Sequence, residues 1–406
     1  MTLDDARAAD AADPLRGFRE RFVLPDGVIY LDGNSLGALP AVTAARVART
    51  VADEWGRGLI RSWNDADWLG APQRIGALIA PLLGAAEDEV IVADSTSANL
   101  FKLLAAAIRA TGRSTILTEP GNFPTDLHVA QGVAALLPGV SVRAAPADEL
   151  AAALDGDTAV LLLSHVHYRS GARHDMAALS AAARAAGALS LWDVSHSVGA
   201  VPLDLVRDGA DLAVGCGYKF LNGGPGAPAF LFVRRALQPT LASPITGWMG
   251  HKRPFAFEDD YAAGEGMTRF LAGTPPILGM AALEEGVRIL REVDMAAVAA
   301  KSAALFDLFA ARVAALAPEL RLVSPTQARA RGSHIAFAHP HAHEIVQALI
   351  ADGVIGDFRA PDVLRFGLTP LYLGHEDVWR ATDILGRIMA GGSWRDPRFA
   401  VRARVT

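Results

Sequence analysis

The chain has 406 residues, of which 51% are hydrophobic and 20% charged, so it can bury a large core and is not disordered in composition. The net charge of −6 offers no global basic surface and argues against a nucleic-acid partner. A single cysteine, Cys216, excludes an internal disulfide and favours a reducing compartment. The acidic N-terminus lacks an apolar signal segment, and the longest apolar runs are too short to span a bilayer. We therefore expect a cytoplasmic protein without a membrane partner.

Residues 1–50 predict an N-terminal arm that joins a small domain. A short alternating run from Val28 predicts a strand, which glycines and Pro40 end. Gly33-Asn34-Ser35-Leu36-Gly37 matches the G-x-S-x-G pattern of a hydrolase nucleophile, but that motif needs a central strand before it and a helix after it. We interpret the stretch as a turn whose backbone lies close to another part of the molecule.

The segment that follows alternates between strands and helices. A helix is predicted over 41–55 and an aromatic, polar loop over 61–68. Strands are then predicted at 90–93, 115–118, 141–144, 159–164, 188–192, 212–215 and 229–233, and helices between them at 99–109, 126–136 and 176–186. This order is typical of an α/β fold with a mostly parallel seven-stranded sheet and flanking helices. Ligands bind such sheets at the carboxyl ends of the strands.

Polar residues lie at several of these strand ends. A predicted helix is preceded by Asp94-Ser95-Thr96-Ser97. Either one of these hydroxyls caps the helix, or the free N–H groups at the helix start bind a phosphate. Phe123, in a loop between two prolines, packs in the core or stacks on a flat ring. Asp126 suits the first turn of the next helix. His165 and His167 share one strand face, but no third ligand has matching spacing, so we expect no metal site.

The most informative stretch runs from Gly215 to Pro228 and contains Lys219 between two groups of small residues. Such a lysine can be a surface residue, a phosphate-binding charge or a nucleophile that attacks an aldehyde. Asp193 ends an earlier buried strand, and His196 follows it. An aspartate at the end of a buried strand and a lysine at the end of a later strand suit pyridoxal phosphate, because the lysine can hold the aldehyde and the aspartate can keep the ring nitrogen protonated.

The C-terminal part predicts a smaller α+β domain. A long helical stretch over 277–316 is interrupted near Asp294, and strands at 333–337 and 363–367 alternate with helices at 343–351 and 376–390. Arg365 is by default a surface arginine, but on a strand that faces a cleft it would bind a carboxylate. We divide the chain into an arm (1–50), a large domain (51–285) and a small domain (286–406).

Seven segments, in order, resemble the kynureninases, which belong to the fold type I (aspartate-aminotransferase-like) pyridoxal-phosphate enzymes. They are residues 30–37, 122–126, 165–171, 192–204, 215–230, 247–251 and 273–278. The most specific is Tyr218-Lys219 followed by the run from Asn222 to Pro228. The resemblance covers most of the chain and weakens after about residue 290.

The resemblance implies that Lys219 binds the cofactor's aldehyde, that Asp193 pairs with the pyridine nitrogen, and that Tyr218 takes part in catalysis. The further cofactor contacts it implies are Thr96 and Ser97 at the phosphate, Phe123 on the ring, Asp126, Ser170, His196 and Tyr218, and Trp248 and Thr274 from the second subunit of a homodimer. It implies that the substrate contacts Arg365, Trp63 and Asn34. Trp63 and Thr274 match the kynurenine-preferring pattern rather than the hydroxykynurenine-preferring one.

The implied reaction is hydrolysis of L-kynurenine to anthranilate and L-alanine, in tryptophan degradation or NAD synthesis. One alternative is another fold type I enzyme, such as a transaminase or a cysteine desulfurase, although a desulfurase needs a mobile thiol and Cys216 lies in the tight turn before Lys219. A catalytically silent protein that binds the cofactor is the alternative from a different class.

Overall fold

A computed structural model describes residues 1–402. The N-terminal arm begins with helix α1 (Leu3–Ala12), which Thr2 starts: its hydroxyl accepts from the Asp5 N–H, and its own N–H donates to the Asp5 carboxylate. Three two-residue strands follow, β1 (Phe22–Val23), β2 (Ile29–Tyr30) and β3 (Leu39–Pro40). Strand β1 pairs with β3 in an antiparallel manner.

The helix predicted over 41–55 is present as two continuous parts. Helix α2 (Thr43–Arg49) passes directly into a π-helical segment, Thr50–Gly58. Two helices that the sequence did not predict come next, α3 (Ser62–Asp65) and α4 (Ala71–Ile79).

A seven-stranded sheet forms the centre of the molecule. Its strands are β4 (Val90–Val92), β5 (Thr115–Thr118), β6 (Ser141–Ala144), β7 (Thr158–Ser164), β8 (Leu189–Asp193), β9 (Leu212–Gly215) and β10 (Phe230–Val233). The spatial order is β4-β10-β9-β8-β7-β5-β6, and β10 runs opposite to the other six strands. The expected fold, with seven strands and a mostly parallel sheet, is confirmed.

Helices cover both faces of this sheet. They are α5 (Thr96–Thr111), α6 (Pro124–Leu136), α7 (Leu150–Ala153), α8 (Met176–Ala185) and, further along the chain, α9 (Ile277–Arg291). Successive strand residues belong to different cores: Val160 and Leu162 pack with α5 and α6, whereas Leu161 and Leu163 belong to the other cluster. Burial on both faces explains why these strands are uninterrupted apolar runs.

The C-terminal part contains a second, four-stranded sheet. Helix α10 (Met295–Leu316) begins after Asp294, whose carboxylate accepts from the Ala296 N–H and causes the expected interruption. The remaining elements are β11 (Arg321–Leu322), β12 (His334–Ala338), α11 (Ala342–Ala351), β13 (Val354–Ile355), β14 (Asp357–Arg359), β15 (Val363–Gly367) and α12 (His375–Gly391). The sheet order is β11-β12-β15-β14, and β13 instead pairs with β2 of the arm. In the described part of the chain, no helix has both the length and the apolar character needed to cross a bilayer.

Candidate active site

Lys219 lies in a tight loop at the carboxyl end of β9. Gly217 leaves no room for a side chain, because a Cβ there would meet the carbonyl of Pro228, and the Gly223 N–H closes the loop by donating to the Gly217 carbonyl at 2.9 Å. The lysine is 8% exposed, and its Nζ lies 3.1 Å from Nε2 of His196. The surface interpretation of Lys219 is therefore wrong.

Two carboxylates lie near this lysine. Asp193 ends β8, the neighbour of β9, and its Oδ1 accepts from the Ser195 N–H at 2.7 Å. Asp126 is fully buried in the first turn of α6, where Ser164 Oγ donates to its Oδ2 at 3.1 Å. Burial and the charge of Asp193 raise the pKa of Asp126 well above its usual range. We call Lys219, Asp193, Asp126 and His196 the lysine cluster.

Two buried atoms of the lysine cluster, Oδ1 of Asp126 and Nδ1 of His196, have no hydrogen-bond partner within residues 1–402. Burial and the Lys219 charge lower the pKa of His196 well below its usual range, so its imidazole is neutral. The centroid of the Phe123 ring lies 5.5 Å from Lys219 Nζ. Buried acidic groups, an aromatic ring and an amine in one cluster are the groups that can hold a flat ring carrying an aldehyde and a cationic nitrogen.

Tyr218 precedes the lysine, and its ring centroid is 5.9 Å from Lys219 Nζ. Burial raises the pKa of the Tyr218 hydroxyl, so the phenol stays protonated at neutral pH. A protonated phenol next to an amine can donate a proton.

The start of α5 contains the candidate phosphate site. Ser95 caps the helix, because its hydroxyl accepts from the Ala98 N–H at 3.3 Å, and Thr96 and Ser97 then lie in the first turn. Thr96 is half-buried and Ser97 is exposed. One serine thus caps the helix, and the next two hydroxyls remain accessible to an anion.

Arg365 is not a surface residue: it is 2% exposed on β15. Its Nε donates to Oδ1 of Asp357 at 2.9 Å, and its other nitrogens donate to the Ser35 hydroxyl at 2.7 Å and the Tyr168 carbonyl at 2.6 Å. Asp357 is the residue directly opposite on β14, so the pair spans two strands.

Further charged residues, which the sequence did not point to, surround this pair. Arg359 donates to Oδ2 of Asp357 at 2.6 Å, and Asp32 of the arm lies next to Asp357. Burial and the charge of Asp357 raise the pKa of Asp32 to about 8. We call Arg365, Arg359, Asp357, Asp32 and Ser35 the arginine cluster. With Asp32 protonated it carries one excess positive charge.

The backbone of the turn at 33–37 lies close to the backbone of Tyr218 and Lys219, as expected for a turn that approaches another part of the molecule. A Cβ on Gly37 would meet the Lys219 carbonyl, and the Gly37 N–H donates to the Tyr218 carbonyl at 2.8 Å. Asn34 is fully buried, its side-chain amide has no partner, and a Cβ on Gly367 would meet its oxygen. The strand before this turn has only two residues and β3 follows it, so the hydrolase-nucleophile interpretation of Ser35 does not fit.

Two predicted site residues, Trp63 and Trp248, belong to a separate row of aromatic rings. The Trp63 ring packs edge-to-face on Trp68 at 6.0 Å and on Trp248 at 6.4 Å, and Trp248 packs on Phe255 at 5.6 Å. Thr274 is exposed. Within residues 1–402, no hydrogen bond or ring contact joins Trp63, Trp248 or Thr274 to the lysine cluster.

The two histidines considered as metal ligands have other partners. Nδ1 of His165 lies 2.9 Å from the Ser197 hydroxyl, and Nε2 of His167 lies 2.9 Å from the Gly121 carbonyl. Ser170, a predicted cofactor contact, is half-buried, and its hydroxyl lies 3.0 Å from Nδ1 of His167. Among the described residues, no three His, Cys, Asp or Glu side chains gather as metal ligands would.

His334 on β12 is a buried residue near the site that the sequence did not indicate. Its ring lies 5.5 Å from that of His196, and neither of its nitrogens has a partner in the described part of the chain. Burial and Arg365 lower the pKa of His334 well below its usual range. A histidine on an apolar strand has no sequence signal that separates it from an ordinary core residue.

Comparison with solved structures identifies the class of fold. A cysteine desulfurase from Thermococcus onnurineus NA1 superposes with a TM-score of 0.79 at 19% identity, covering 92% of this chain and 98% of that one. A cysteine desulfurase from Escherichia coli gives a TM-score of 0.76 at 20% identity, covering 93% and 98%. The protein therefore has the desulfurase-like fold of the type I class.

Comparison with curated sequences is more specific. A family model described as the kynureninase C-terminal domain matches residues 298–385. A kynureninase from Burkholderia mallei strain SAVP1 is 50% identical over 415 aligned residues, and one from Pseudomonas fluorescens is 48% identical over 414, each alignment covering 100% of both chains. The chain belongs to the kynureninase family.

Proposed function

We propose that this protein hydrolyses L-kynurenine to anthranilate and L-alanine with pyridoxal 5′-phosphate as cofactor, and acts on 3-hydroxykynurenine less well. The observation that carries the proposal is the buried Lys219, held 3.1 Å from His196 at the sheet edge where Asp193 ends the neighbouring strand. Full-length identity of 50% to a kynureninase supports the choice of reaction.

The residues of the lysine cluster fit the cofactor. Asp126 and Asp193 are buried acidic groups. Oδ1 of Asp126 and Nδ1 of His196 have no hydrogen-bond partner within the described residues. A cationic pyridine nitrogen supplies the charge and the N–H that such carboxylates favour. Thr96, Ser97 and the start of α5 would hold the phosphate, and Phe123 would stack on the ring.

Each group then has a defined task. Bound pyridoxal phosphate supplies an electron-withdrawing ring that stabilises negative charge at the substrate's Cα. Asp193 would keep the proton on the ring nitrogen, and Lys219 would first hold the aldehyde and then move the proton at Cα. Tyr218, a protonated phenol beside Lys219, would move a proton at the γ-carbonyl while water adds and the Cβ–Cγ bond breaks.

The arginine cluster would bind the substrate's α-carboxylate. Its excess positive charge suits a monoanion, and Arg359 is 31% exposed, so the cluster is accessible at one side. Asn34, whose buried amide lacks a partner, would complete the substrate contacts.

The experiment that tests this function is incubation of the purified protein with L-kynurenine and pyridoxal phosphate. Anthranilate fluorescence and L-alanine should rise together in equal amounts. Pyruvate without anthranilate would point to a transaminase, and cofactor absorbance without turnover to a silent protein. A desulfurase is not favoured, because the Cys216 thiol is 2% exposed in the turn before Lys219.

We also propose a homodimer in which Trp63, Trp248 and Thr274 complete the partner's site. Support comes from their separation from the lysine cluster and from exposed apolar side chains in the same segments, including Ile60 at 77% and Phe257 at 79%. Mixing the Lys219→Ala and Trp248→Ala variants under conditions that exchange subunits should restore about a quarter of the activity, because half of the dimers then hold one intact site. No restoration would show that one subunit supplies the whole site.

The remaining assignments are also proposals. We propose a cytoplasmic enzyme of tryptophan degradation, with an arm over 1–50, a large domain over 51–285 and a small domain over 286–406. Two contacts support assigning the arm to the small domain. Strand β2 pairs with β13, and the N–H groups of His375 and Glu376 donate to the Asp10 carboxylate. Limited proteolysis followed by mass spectrometry would test these boundaries.

A further inference from the structure

Lys102 is a fully buried lysine that the proposed mechanism does not use. It lies on α5 among Leu100, Leu103 and Leu104, and none of its surface is exposed. Its ammonium pairs with the carboxylate of Asp94 and donates to the Phe270 carbonyl at 2.6 Å. An ammonium is costly to remove from water, so its burial needs an explanation beyond packing.

The first partner is part of the loop that leads into the candidate phosphate site. Asp94 immediately precedes Ser95, the cap of α5, and its φ of +46° lies in the left-handed region, which residues other than glycine seldom adopt. Asn99, one turn before Lys102, donates from Nδ2 to the Ala93 carbonyl at 2.8 Å. Two side chains on the same face of α5 therefore reach back and fix the loop before Thr96 and Ser97.

The second partner belongs to the segment that leads to Thr274. Phe270 is fully buried and lies four residues before Thr274. The Met249 N–H donates to the Ala272 carbonyl at 3.2 Å, which joins the Trp248 segment to the same strip of chain. One ammonium thus connects the loop at the start of α5 with the segments that carry Trp248 and Thr274.

We propose that Lys102 is a positioning residue for the cofactor's phosphate: it fixes the Asp94–Ser97 loop against the 270–274 segment, so that the N–H groups and hydroxyls at the start of α5 converge on the anion. The inference rests on the proposed function. In the proposed homodimer, Lys102 also links each subunit's own phosphate site to the residues that it lends to its partner. Lys102 itself does not touch the phosphate.

The chain offers a matched control in a second buried lysine. Lys301 on α10 is 8% exposed, its ammonium lies 2.6 Å from the Asp13 carboxylate, and it donates to the Pro370 carbonyl at 2.6 Å. Lys301→Met therefore removes the same kind of contacts as Lys102→Met, but on elements that carry no predicted cofactor contact.

The test compares the affinities of the cofactor-free protein for pyridoxal phosphate and for pyridoxal, which lacks the phosphate, from the absorbance of the lysine-bound aldehyde. In Lys102→Met the affinity for pyridoxal phosphate should fall about tenfold while that for pyridoxal is unchanged, because only phosphate contacts are misplaced. Lys301→Met should leave the ratio of the two affinities at the wild-type value.

If the ratio of the two affinities is unchanged in Lys102→Met, whether both affinities fall equally or neither falls, the inference is overturned and the proposed function is left intact. A wild-type protein with no preference for the phosphorylated form would instead overturn the proposed cofactor site. If Lys102→Met does not fold, Asp94→Asn replaces it, because asparagine tolerates the left-handed conformation and removes only the charge. Asp94→Asn should lower the ratio in the same direction, and an unchanged ratio there also contradicts the inference.

Discussion

The lysine cluster and the arginine cluster are both buried and charged, but they differ in how far their own residues satisfy them. In the lysine cluster, Oδ1 of Asp126 and Nδ1 of His196 have no partner. In the arginine cluster, Arg365 binds Asp357, Ser35 and a backbone carbonyl, and among the described residues one buried atom, Oδ1 of Asp32, lacks a partner. Unpartnered buried groups cost stability and suggest a ligand, whereas a buried ion pair that is complete costs stability only when it is broken. Changes in the first cluster should therefore affect chemistry, and changes in the second should affect folding as well.

Lys219→Ala should have the largest effect on activity. We expect kynurenine turnover to fall by about 10⁴-fold or more, because the group that binds the aldehyde and moves the Cα proton is removed. Thermal stability should change little, since the Lys219 ammonium makes a single hydrogen bond, to neutral His196.

Borohydride reduction of the wild-type holoprotein, followed by peptide mass analysis, provides the control. The label should be on Lys219. Labelling of another lysine, such as the buried Lys102 or Lys301, would remove the basis for the mechanism.

Tyr218→Phe should separate proton transfer from cofactor binding. The ring and its contact with Lys219 are kept and only the hydroxyl is lost, so anthranilate formation should slow by about 10²-fold. The absorbance of the lysine-bound cofactor should persist. Turnover equal to that of the wild type would exclude the phenol from catalysis.

Asp357→Asn should affect stability more than any change in the lysine cluster. It leaves Arg365 buried beside Arg359 without their shared anion, which should lower the free energy of unfolding by ~3 kcal/mol in urea titrations.

Asp53→Asn is the matched control, because Asp53 pairs only with Arg57 among the described residues and both side chains are more than 40% exposed. Its loss should stay below ~1 kcal/mol. Equal losses for the two variants would mean that the arginine cluster is no more than a surface ion pair.

The two clusters also differ in how well they could be predicted from the sequence. The strands that carry Asp193 and lead to Lys219 are buried, largely apolar runs: they were predicted at 188–192 and 212–215 and are observed as β8 (Leu189–Asp193) and β9 (Leu212–Gly215). Because these strands are parallel neighbours, their carboxyl ends meet at one edge, and Asp193 and Lys219 could be placed together from chain order alone.

The arginine cluster could not be predicted in the same way. Its members come from the arm and from two strands of the small sheet, and Arg365 finds Asp357 only through the register of β14 on β15. Register is set by tertiary packing, which a single sequence does not reveal. Helix α1 was not predicted for a different reason. Thr2 and Asp5 form its capping box and could have been recognised in the sequence, but only the acidic character of this segment was used.

The last test of the comparison concerns the pH dependence of stability at Asp32. Burial and Asp357 raise the pKa of this carboxyl to about 8, so the folded protein holds a proton there that the unfolded chain releases near pH 4. A group with a raised pKa in the folded state contributes stability below its unfolded pKa, and this contribution is lost as pH rises through the folded pKa. Between pH 4 and 8, wild-type stability should therefore decline with pH more steeply than that of Asp32→Asn, which cannot ionise, and above pH 8 the two slopes should agree. Urea titrations across this range measure the difference. Parallel curves throughout would mean that Asp32 is already charged in the folded protein, and the arginine cluster would then have no excess positive charge to offer a substrate carboxylate.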